Sequence, residues 1–384
     1  MTGATKPWEF YNPVQVVFGP GTLGRLADHV PKGRVLLVTS KGATERGLTD
    51  RLLKLLSESN VDVLDSVEPN PGLRWLETEV NRLKHSSYDS LVAAGGGSAI
   101  DSAKAVGAAL VLRENGSSLR EHLEASRPLP DQALAPVVAV PTTAGSGSEV
   151  TPFATVWDLE KRHKHSLHSR RVFPLAAVID PELTLELPVP TTIAAGLDAL
   201  CQALESIWNR HANPITLELA RRAASLALSA LPEAVREPRS LIHRTRMMEA
   251  SLLAGLAISH TRTALAHSIS YPITARWGVP HGLACGFTLP SLLNYNAKSD
   301  DGRLIETARL LGFPDLAGLE AGLRQLLDDL NVPAYLRNYL PNPLADLFAL
   351  VPLMHTPDRA GNNLRTARYE DIAEIIQRSV SHWP

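Results

Sequence analysis

The fold is indicated most clearly by one stretch, Leu91-Val92-Ala93-Ala94-Gly95-Gly96-Gly97-Ser98-Ala99-Ile100-Asp101. Its apolar start predicts a buried β-strand, and Ile100 begins the buried face of a following helix. Glycines at such a turn let the backbone approach a phosphate, which the free N–H groups of the first helical turn then bind. A tight turn that binds nothing is the alternative. We expect the nucleotide contacts to come from Gly96, Gly97, Ser98 and Asp101.

Short apolar runs alternate with helical patterns through the first half of the chain. The predicted strands are Val35–Val38, Val61–Leu64, Leu91–Ala94, Pro136–Val140 and Ala176–Ile179. The predicted helices between them are Leu48–Glu58 and Leu73–Lys84. This alternation is typical of a parallel sheet covered by helices, which binds ligands at the carboxyl ends of its strands.

A second loop of small and hydroxyl residues, Pro141–Thr151, follows the strand that ends at Val140. Alone it would be an ordinary polar loop. Two such loops at the same edge of a parallel sheet favour a dinucleotide site. The residues of this loop that we expect to contact the cofactor are Thr142, Thr143, Ser146 and Thr151.

After Pro181 the strand-like runs nearly disappear, and helical patterns separated by prolines take over. The clearest are Ala194–Trp208, Ile215–Leu231, Arg244–Ile269, Leu316–Leu330 and Asp371–Arg378. We therefore predict an α/β dinucleotide-binding domain with a parallel sheet at residues 1–185 and an all-α metal-binding domain at 186–384. The active site is expected between them.

Composition is that of a globular protein. The 384 residues are 44% hydrophobic and 20% charged, and 38 Lys and Arg face 40 Asp and Glu. This balance gives no reason to expect a nucleic-acid or membrane partner. The two cysteines, Cys201 and Cys285, make no disulfide framework. With no apolar segment typical of a signal peptide in the first residues, we expect a cytoplasmic protein.

Four polar residues of the second half have the chemistry of a metal site. Asp198 and Gln202 are four residues apart, so a helix places them on one face. His267 and His281 add two imidazoles. Oxygen and nitrogen ligands of this kind suit a divalent first-row metal. The alternative is that all four are ordinary polar residues near helix ends.

These segments together resemble the iron-dependent, or group III, alcohol dehydrogenases over nearly the whole chain. The resemblance is carried by Phe18–Gly21, Gly95–Asp101, Pro141–Thr151, Ala177–Pro181, Gly196–Leu200, His267 and Pro280–Gly282. It implies a nucleotide-binding α/β domain, a helical metal domain and NAD(P)-dependent interconversion of aldehydes and alcohols. The implied metal is Fe²⁺, or Zn²⁺ in some members. At least a homodimer is also implied.

Two positions depart from the pattern of that family. It holds its metal with one Asp and three His; Asp198, His267 and His281 match, and Gln202 stands where the remaining His is expected. Gln202 either coordinates, leaves a water in its place or marks a lost metal. His260 is interpreted as a plain helix residue two turns before His267. Tyr271 replaces a His thought to relay a proton, and its ordinary pKa of about 10 suits a relay less well at neutral pH.

The cofactor preference is predicted from the end of the Val35–Val38 strand. NAD-preferring relatives carry an acidic residue where this chain has Ser40, and an acid there repels a 2′-phosphate. Ser40 removes that repulsion and Lys41 attracts the phosphate, so we expect NADPH in preference to NADH. If Lys41 is only a solvated surface charge, that preference weakens. The resemblance adds three further cofactor positions, Asn70, Lys164 and Leu183.

The substrate is indicated less directly. Basic residues lie at 162–171, at Arg262 and at Arg276, and an arginine suits a phosphonate or carboxylate. Arg262 is the predicted substrate contact. Trp8–Val14 and Ala203–Asn209 resemble the branch that reduces phosphonoacetaldehyde to 2-hydroxyethylphosphonate. The alternatives are a metal-free maleylacetate reductase, an NAD- and metal-dependent synthase like dehydroquinate synthase, and a non-catalytic nucleotide-binding protein.

Overall fold

The structure, a computed structural model, describes residues 7–83, 85–125, 127–158, 160–161, 163–381 and 383. The predicted helix end at Lys84 and the basic residue Arg162 lie outside these ranges. The strands are β1 (Gln15–Phe18), β2 (Arg34–Val38), β3 (Asn60–Leu64), β4 (Ser90–Gly95), β5 (Val137–Pro141), β6 (Phe153–Asp158), β7 (His163–His168) and β8 (Ala176–Ile179).

Six of these strands form one parallel sheet in the order β1-β8-β5-β4-β2-β3. The chain leaves β2 for β3 on one side and returns to β4 on the other, so the strand order reverses between β2 and β4. Crevices at such a reversal are where sheets of this kind bind ligands. Ser40 follows β2 and Gly96 follows β4, which places both at this crevice.

The five strands predicted from apolar runs are all present, and the parallel sheet is confirmed. Three strands were not predicted. β1 is only four residues long, and its partners in the sheet lie far away in the sequence. β6 and β7 pair as an antiparallel hairpin. β7 reads HKHSLH and carries no apolar run, and only one of its six side chains is buried.

The helices that accompany the sheet are short, except the one after the glycine turn. They are α1 (Lys41–Glu45), α2 (Leu48–Leu55), α3 (Leu73–Arg82), α4 (Gly97–Glu114) and α5 (Leu119–Ala125). The second half contains α6 (Val189–Ile207), α7 (Pro214–Arg236), α8 (Leu241–Thr261), α9 (Leu265–Trp277), α10 (His281–Gly286), α11 (Leu289–Ala297), α12 (Arg303–Leu310), α13 (Leu316–Asp329), α14 (Val332–Arg337), α15 (Pro343–Phe348), α16 (Pro357–Ala360) and α17 (Tyr369–Val380). The α/β and all-α classes are thus confirmed, while the boundary at 185 stays a prediction.

One predicted helix, Arg244–Ile269, is wrong. The structure divides it into α8 and α9 at Arg262, whose φ of 60° and ψ of 174° are not helical. The apolar periodicity continues through the break, and no glycine or proline lies there to signal it. The freed backbone groups are satisfied by distant side chains instead: Asn209 donates to the Arg262 carbonyl and Asn362 to the Thr263 carbonyl.

Buried apolar side chains cover both faces of the sheet and fill the helical half. Leu36, Ile100 and Val106 belong to the cluster on one sheet face, and Leu37 and Val178 to the cluster on the other. A separate cluster joins the helices from α6 to α17. In the part of the chain that the structure covers, none of the helices is both long and apolar enough to cross a bilayer.

Candidate active site

A cavity of about 1810 Å³ lies between the carboxyl edge of the sheet and the helical domain. All the site residues predicted from the sequence line it, which brings together positions from both halves of the chain. They are Ser40, Lys41, Asn70, Gly96, Gly97, Ser98, Asp101, Thr142, Thr143, Ser146, Thr151, Lys164, Leu183, Asp198, Gln202, Arg262, His267, Tyr271 and His281.

The glycine turn presents bare backbone to this cavity. α4 begins at Gly97, and no described side chain caps its first N–H groups. A Cβ on Gly97 would lie 2.7 Å from Ser146 Oγ, so only glycine lets the two loops approach this closely. Ser98 Oγ accepts a hydrogen bond of 3.2 Å from the Asn70 N–H. Uncapped N–H groups at the start of a long helix are suited to a phosphate.

The second loop is held by a buried lysine that sequence reasoning missed. Lys104 Nζ, on α4, donates to the carbonyl oxygens of Ser148, Thr151 and Phe153 at 2.6 to 3.0 Å. Burial lowers the pKa of Lys104 to about 8. The Asp101 carboxylate also fixes the loop by accepting from Ser148 Oγ, and it accepts the Thr155 N–H on β6 as well. Asp101 therefore supports the cavity wall in addition to lining the cavity.

The same loop touches the helical domain at a contact between two glycines. Gly147 has φ of +62°, and a Cβ on it would lie 2.4 Å from Gly255 Cα, on α8. A Cβ on Gly255 would lie 2.7 Å from Gly147 Cα. Backbone therefore meets backbone here, and no side chain fits between the loop and α8.

The predicted metal ligands converge from three helices. Asp198 and Gln202 lie on α6, His267 on α9 and His281 at the start of α10. Asp198 Oδ1 is 3.4 Å from His267 Nε2, and the ligand atoms of Asp198, His267, His281 and Cys285 all lie within 4.8 Å of one another. α10 packs closely on α6, because a Cβ on Gly282 would lie 1.8 Å from the Ala194 carbonyl oxygen.

Glu205 orients this cluster, and sequence reasoning missed it. Its side chain is fully buried, and its Oε2 lies 2.7 Å from His267 Nδ1. The same carboxylate accepts the backbone N–H groups of Ala264, Ala266 and His267, which are left without helical partners where α9 begins. Glu205 follows Asp198 by seven residues, or two helical turns, and that spacing was the available signal.

The residues of the cluster fit a divalent metal. Asp198 Oδ1 and Gln202 Oε1 are buried and have no hydrogen-bond partner among the described residues. Burial alone would raise the pKa of Asp198, but the nearby His267 and His281 hold that pKa below its ordinary value. Because His267 Nδ1 faces Glu205, its Nε2 is left to face the other ligands. A carboxylate and two imidazoles suit iron or zinc.

Gln202 is 3% exposed and its Nε2 donates to the Ser146 carbonyl oxygen at 3.2 Å. Because that nitrogen donates to the second loop, Oε1 is the amide atom that is left to bind a metal. Cys285, which the sequence did not single out, is the other candidate for an additional ligand. Its Sγ lies 3.7 Å from His281 Nε2.

Tyr271 lies one helical turn after His267, as predicted, and its ring stacks on His281 with centroids 6.1 Å apart. Lys164 Nζ lies 3.9 Å above the phenol ring, and Arg359 Nε lies 3.3 Å from its oxygen. Burial alone would raise the pKa of Tyr271, but Lys164 and Arg359 outweigh it and lower this pKa to about 7. The objection to a phenol as a proton relay, based on its ordinary pKa, does not hold at this position.

The other basic residues separate into two groups. Arg262, Lys164, His168 and Arg359 line the cavity. Arg170 pairs with Glu9, and Arg276 is exposed and lies over the Trp277 ring, outside the cavity. His260 is at the end of α8 rather than on the helix of His267. It stacks on Phe10 and accepts the Tyr11 N–H.

Comparison with known proteins gives matches over both halves. A family model described as iron-containing alcohol dehydrogenase matches residues 13–181, and one for the C-terminal part of Fe-containing alcohol dehydrogenases matches 192–380.

Phosphonoacetaldehyde reductase of Streptomyces viridochromogenes is 42% identical over 68% of this chain and 67% of its own. 1,3-Propanediol dehydrogenase of Citrobacter freundii is 30% identical over 97% and 99%. The structure of sulfoacetaldehyde reductase from Bifidobacterium kashiwanohense in complex with NAD⁺ superposes with a TM-score of 0.88, at 30% identity over 98% and 100%.

Proposed function

The chain belongs to the iron-containing alcohol dehydrogenase family, and from this premise we propose that it reduces phosphonoacetaldehyde to 2-hydroxyethylphosphonate. The coarser activity follows from the family: the chain is a nicotinamide-dependent oxidoreductase that interconverts an aldehyde and an alcohol. One observation carries the proposal. A single cavity joins the uncapped start of α4, the Asp198, His267 and His281 cluster, and the side chains of Arg262 and Arg359, neither of which forms an ion pair with a described carboxylate.

The sheet side of the cavity binds the cofactor in this proposal. Gly96, Gly97 and Ser98 offer backbone N–H groups to the diphosphate. Ser40 and Lys41, at the end of β2, would bind the adenine ribose, and a serine in place of an acid at position 40 favours NADPH over NADH. Bound in this way, the reduced nicotinamide supplies the hydride. Thr142, Thr143, Ser146, Asn70, Lys164 and Leu183 complete the contacts.

The helical side holds the metal with Asp198, Gln202, His267 and His281. A divalent cation bound by these residues supplies a Lewis acid to the aldehyde oxygen. The protein's part is to keep the His267 ring oriented through Glu205 and to fix the Gln202 amide through the Ser146 carbonyl. The contact between Gly147 and Gly255 keeps the cofactor loop against α8.

Tyr271 is the proposed proton donor to the developing alkoxide. Its oxygen is next to the Arg359 guanidinium, and its ring contacts Lys164 and stacks on His281. With its pKa lowered to about 7, the phenol exchanges a proton readily at neutral pH.

The substrate assignment is supported by two of the relatives. One is named for phosphonoacetaldehyde and one for sulfoacetaldehyde, both short aldehydes with an anionic end. The Citrobacter relative is named for an uncharged diol, so membership of the family alone does not select the anion. The arginines that face the cavity favour an anionic aldehyde. A homodimer in the cytoplasm stays our prediction for the assembly and its location.

The decisive experiment follows NADPH and NADH oxidation with phosphonoacetaldehyde, sulfoacetaldehyde and propionaldehyde. Metal-stripped protein is compared with protein reloaded with Fe²⁺ or Zn²⁺. We expect metal-dependent turnover with a kcat/KM that is highest for phosphonoacetaldehyde.

The other results separate the alternatives. Metal-dependent turnover of propionaldehyde alone would keep the family and remove the phosphonate assignment. Turnover that ignores the metal would indicate an enzyme like maleylacetate reductase. A protein that binds cofactor without net oxidation of it would indicate either a synthase like dehydroquinate synthase or a non-catalytic binding protein.

A further inference from the structure

Two arginines from distant parts of the chain approach the same end of the cavity. Arg262 lies between α8 and α9, and Arg359 lies on α16. Both side chains are half-buried and both line the cavity. Arg359 reaches the oxygen of Tyr271 at 3.3 Å, so its guanidinium is one phenol ring away from His281. The charge of Arg359 thus lies beside the proposed metal cluster, and it is close enough to Arg262 to lower the pKa of that guanidinium after burial.

Neither guanidinium has a carboxylate partner within 4 Å in the described part of the chain. The nearest partner of the Arg262 guanidinium is the His168 ring, at 3.4 Å. Burial lowers the pKa of His168, and the charge of Arg262 lowers it further, so this ring supplies no negative charge to Arg262. Arg359 donates to the Tyr271 oxygen and the Asp358 carbonyl. Asp358 is exposed and acts on both arginines only at longer range. Two half-buried guanidinium groups without a carboxylate partner leave this end of the cavity positively charged, which favours an anionic ligand there.

The backbone of Arg262 gives an independent indication. Its φ of 60° and ψ of 174° fall in a region that side chains other than glycine rarely adopt, at a cost of about 1 to 3 kcal/mol. Three hydrogen bonds hold it there. The Arg262 N–H donates to the Ile258 carbonyl, while Asn209 Nδ2 and Thr261 Oγ1 both donate to the Arg262 carbonyl. Strain of this kind persists where the position of a side chain matters.

We propose that Arg262 and Arg359 form a two-arginine subsite that binds the tetrahedral oxyanion at the far end of the aldehyde substrate. Two guanidinium forks match the three oxygens of a phosphonate or sulfonate. Only one phenol ring separates Arg359 from the histidines, so the subsite selects aldehydes whose anion is close to the carbonyl. This inference rests on the proposed function, because it assigns residues to the substrate named there.

The test measures kcat and KM of Arg262→Gln and Arg359→Gln with an anionic and an uncharged aldehyde. For phosphonoacetaldehyde we expect KM to rise and kcat/KM to fall by about 10- to 150-fold in each variant, the range for a lost hydrogen bond to a charged group. For propionaldehyde, kcat/KM of Arg262→Gln should change by less than about threefold. That of Arg359→Gln should fall as well, but by less than with phosphonoacetaldehyde, because Arg359 also contacts the proposed proton donor Tyr271. Arg276→Gln, an exposed arginine outside the cavity, is the control.

Conservative variants and a second anion complete the design. Arg359→Lys should recover part of the loss, because it restores charge without the fork. Sulfoacetaldehyde distinguishes the two oxyanions. If the Gln variants lose kcat/KM with it to a similar extent, the subsite binds both phosphonate and sulfonate. If they lose none, the subsite is specific for phosphonate. If the wild-type protein shows no preference for anionic aldehydes, the proposed function fails. If it shows that preference and both Gln variants keep it, the proposed function survives and the subsite is wrong.

Discussion

Glu205 Oε2 lies 2.7 Å from His267 Nδ1, and the same carboxylate caps the start of α9. One buried side chain therefore fixes both the ring orientation of a proposed metal ligand and the backbone that carries it. A histidine in this arrangement presents Nε2 to a metal without freedom to rotate.

Replacement of Glu205 by Gln should weaken metal binding more than it weakens the fold. We expect a loss of metal affinity of about 10- to 100-fold, the range for groups that orient a ligand. Glu205→Ala, which leaves the N–H groups of Ala264 and Ala266 unpaired, should in addition lower the free energy of unfolding by about 2 to 4 kcal/mol. Competition with a chelator and urea unfolding measure the two effects. Glu374→Gln, at an exposed carboxylate of α17, is the control.

Variants of Gln202 and Cys285 decide which residue completes the metal site. Gln202→Leu should lower metal affinity by at least about tenfold, and Gln202→His should raise it, because imidazole binds first-row metals more strongly than an amide oxygen. Cys285→Ser should stay within about twofold of the parent if its sulfur is a bystander. Metal content after dialysis is the readout. A large loss in Cys285→Ser with none in Gln202→Leu would reverse the assignment.

Ser40→Asp should change the cofactor preference from NADPH towards NADH. Ser40 caps α1 by accepting the Ala43 N–H at 3.4 Å, and Asp is an equally good cap, so the fold should be preserved. The new carboxylate repels a 2′-phosphate, and we expect the KM for NADPH to rise by about tenfold or more while that for NADH falls or stays constant. Lys41→Gln, which changes no cap, should raise the KM for NADPH only by about two- to fivefold.

The stability of the protein should depend on Glu149 between pH 4.5 and 7. Burial raises the pKa of this carboxyl from 4.5 to about 7, opposed by the Lys104 charge. The folded state therefore holds the proton more tightly than the unfolded state, and its stability falls as pH rises through that window. Glu149→Gln should be more stable than the parent above pH 7, by on the order of 1 to 3 kcal/mol, and equal to it below pH 4.5.

Urea unfolding at several pH values measures this effect. The control is again Glu374→Gln, whose stability should follow that of the parent at every pH. A parallel pH profile for Glu149→Gln and the parent would show that the Glu149 carboxyl does not titrate in this window.

Prediction from the sequence succeeded where local pattern carries the information. The glycine turn at Gly96 and the strands beside it have unambiguous apolar and glycine signals, and the parallel sheet that they predict is present. The predicted site residues line the cavity, and the roles assigned to them stay predictions. It failed where distant contacts decide. The break at Arg262 is stabilised by Asn209 and Asn362, which no pattern near Arg262 reveals. Arg359 was missed because only the fold brings α16 beside Tyr271.

The contact of Gly147 with Gly255 constrains how this chain can diverge. A side chain on either residue meets the backbone of the other, so neither position tolerates substitution while its partner stays in place. A second substitution at the partner glycine adds further atoms and does not remove the clash. The two positions therefore have no compensatory route through point substitutions. A lineage that loses one glycine must shift the whole loop from α8, and with it Ser146, which holds the Gln202 amide.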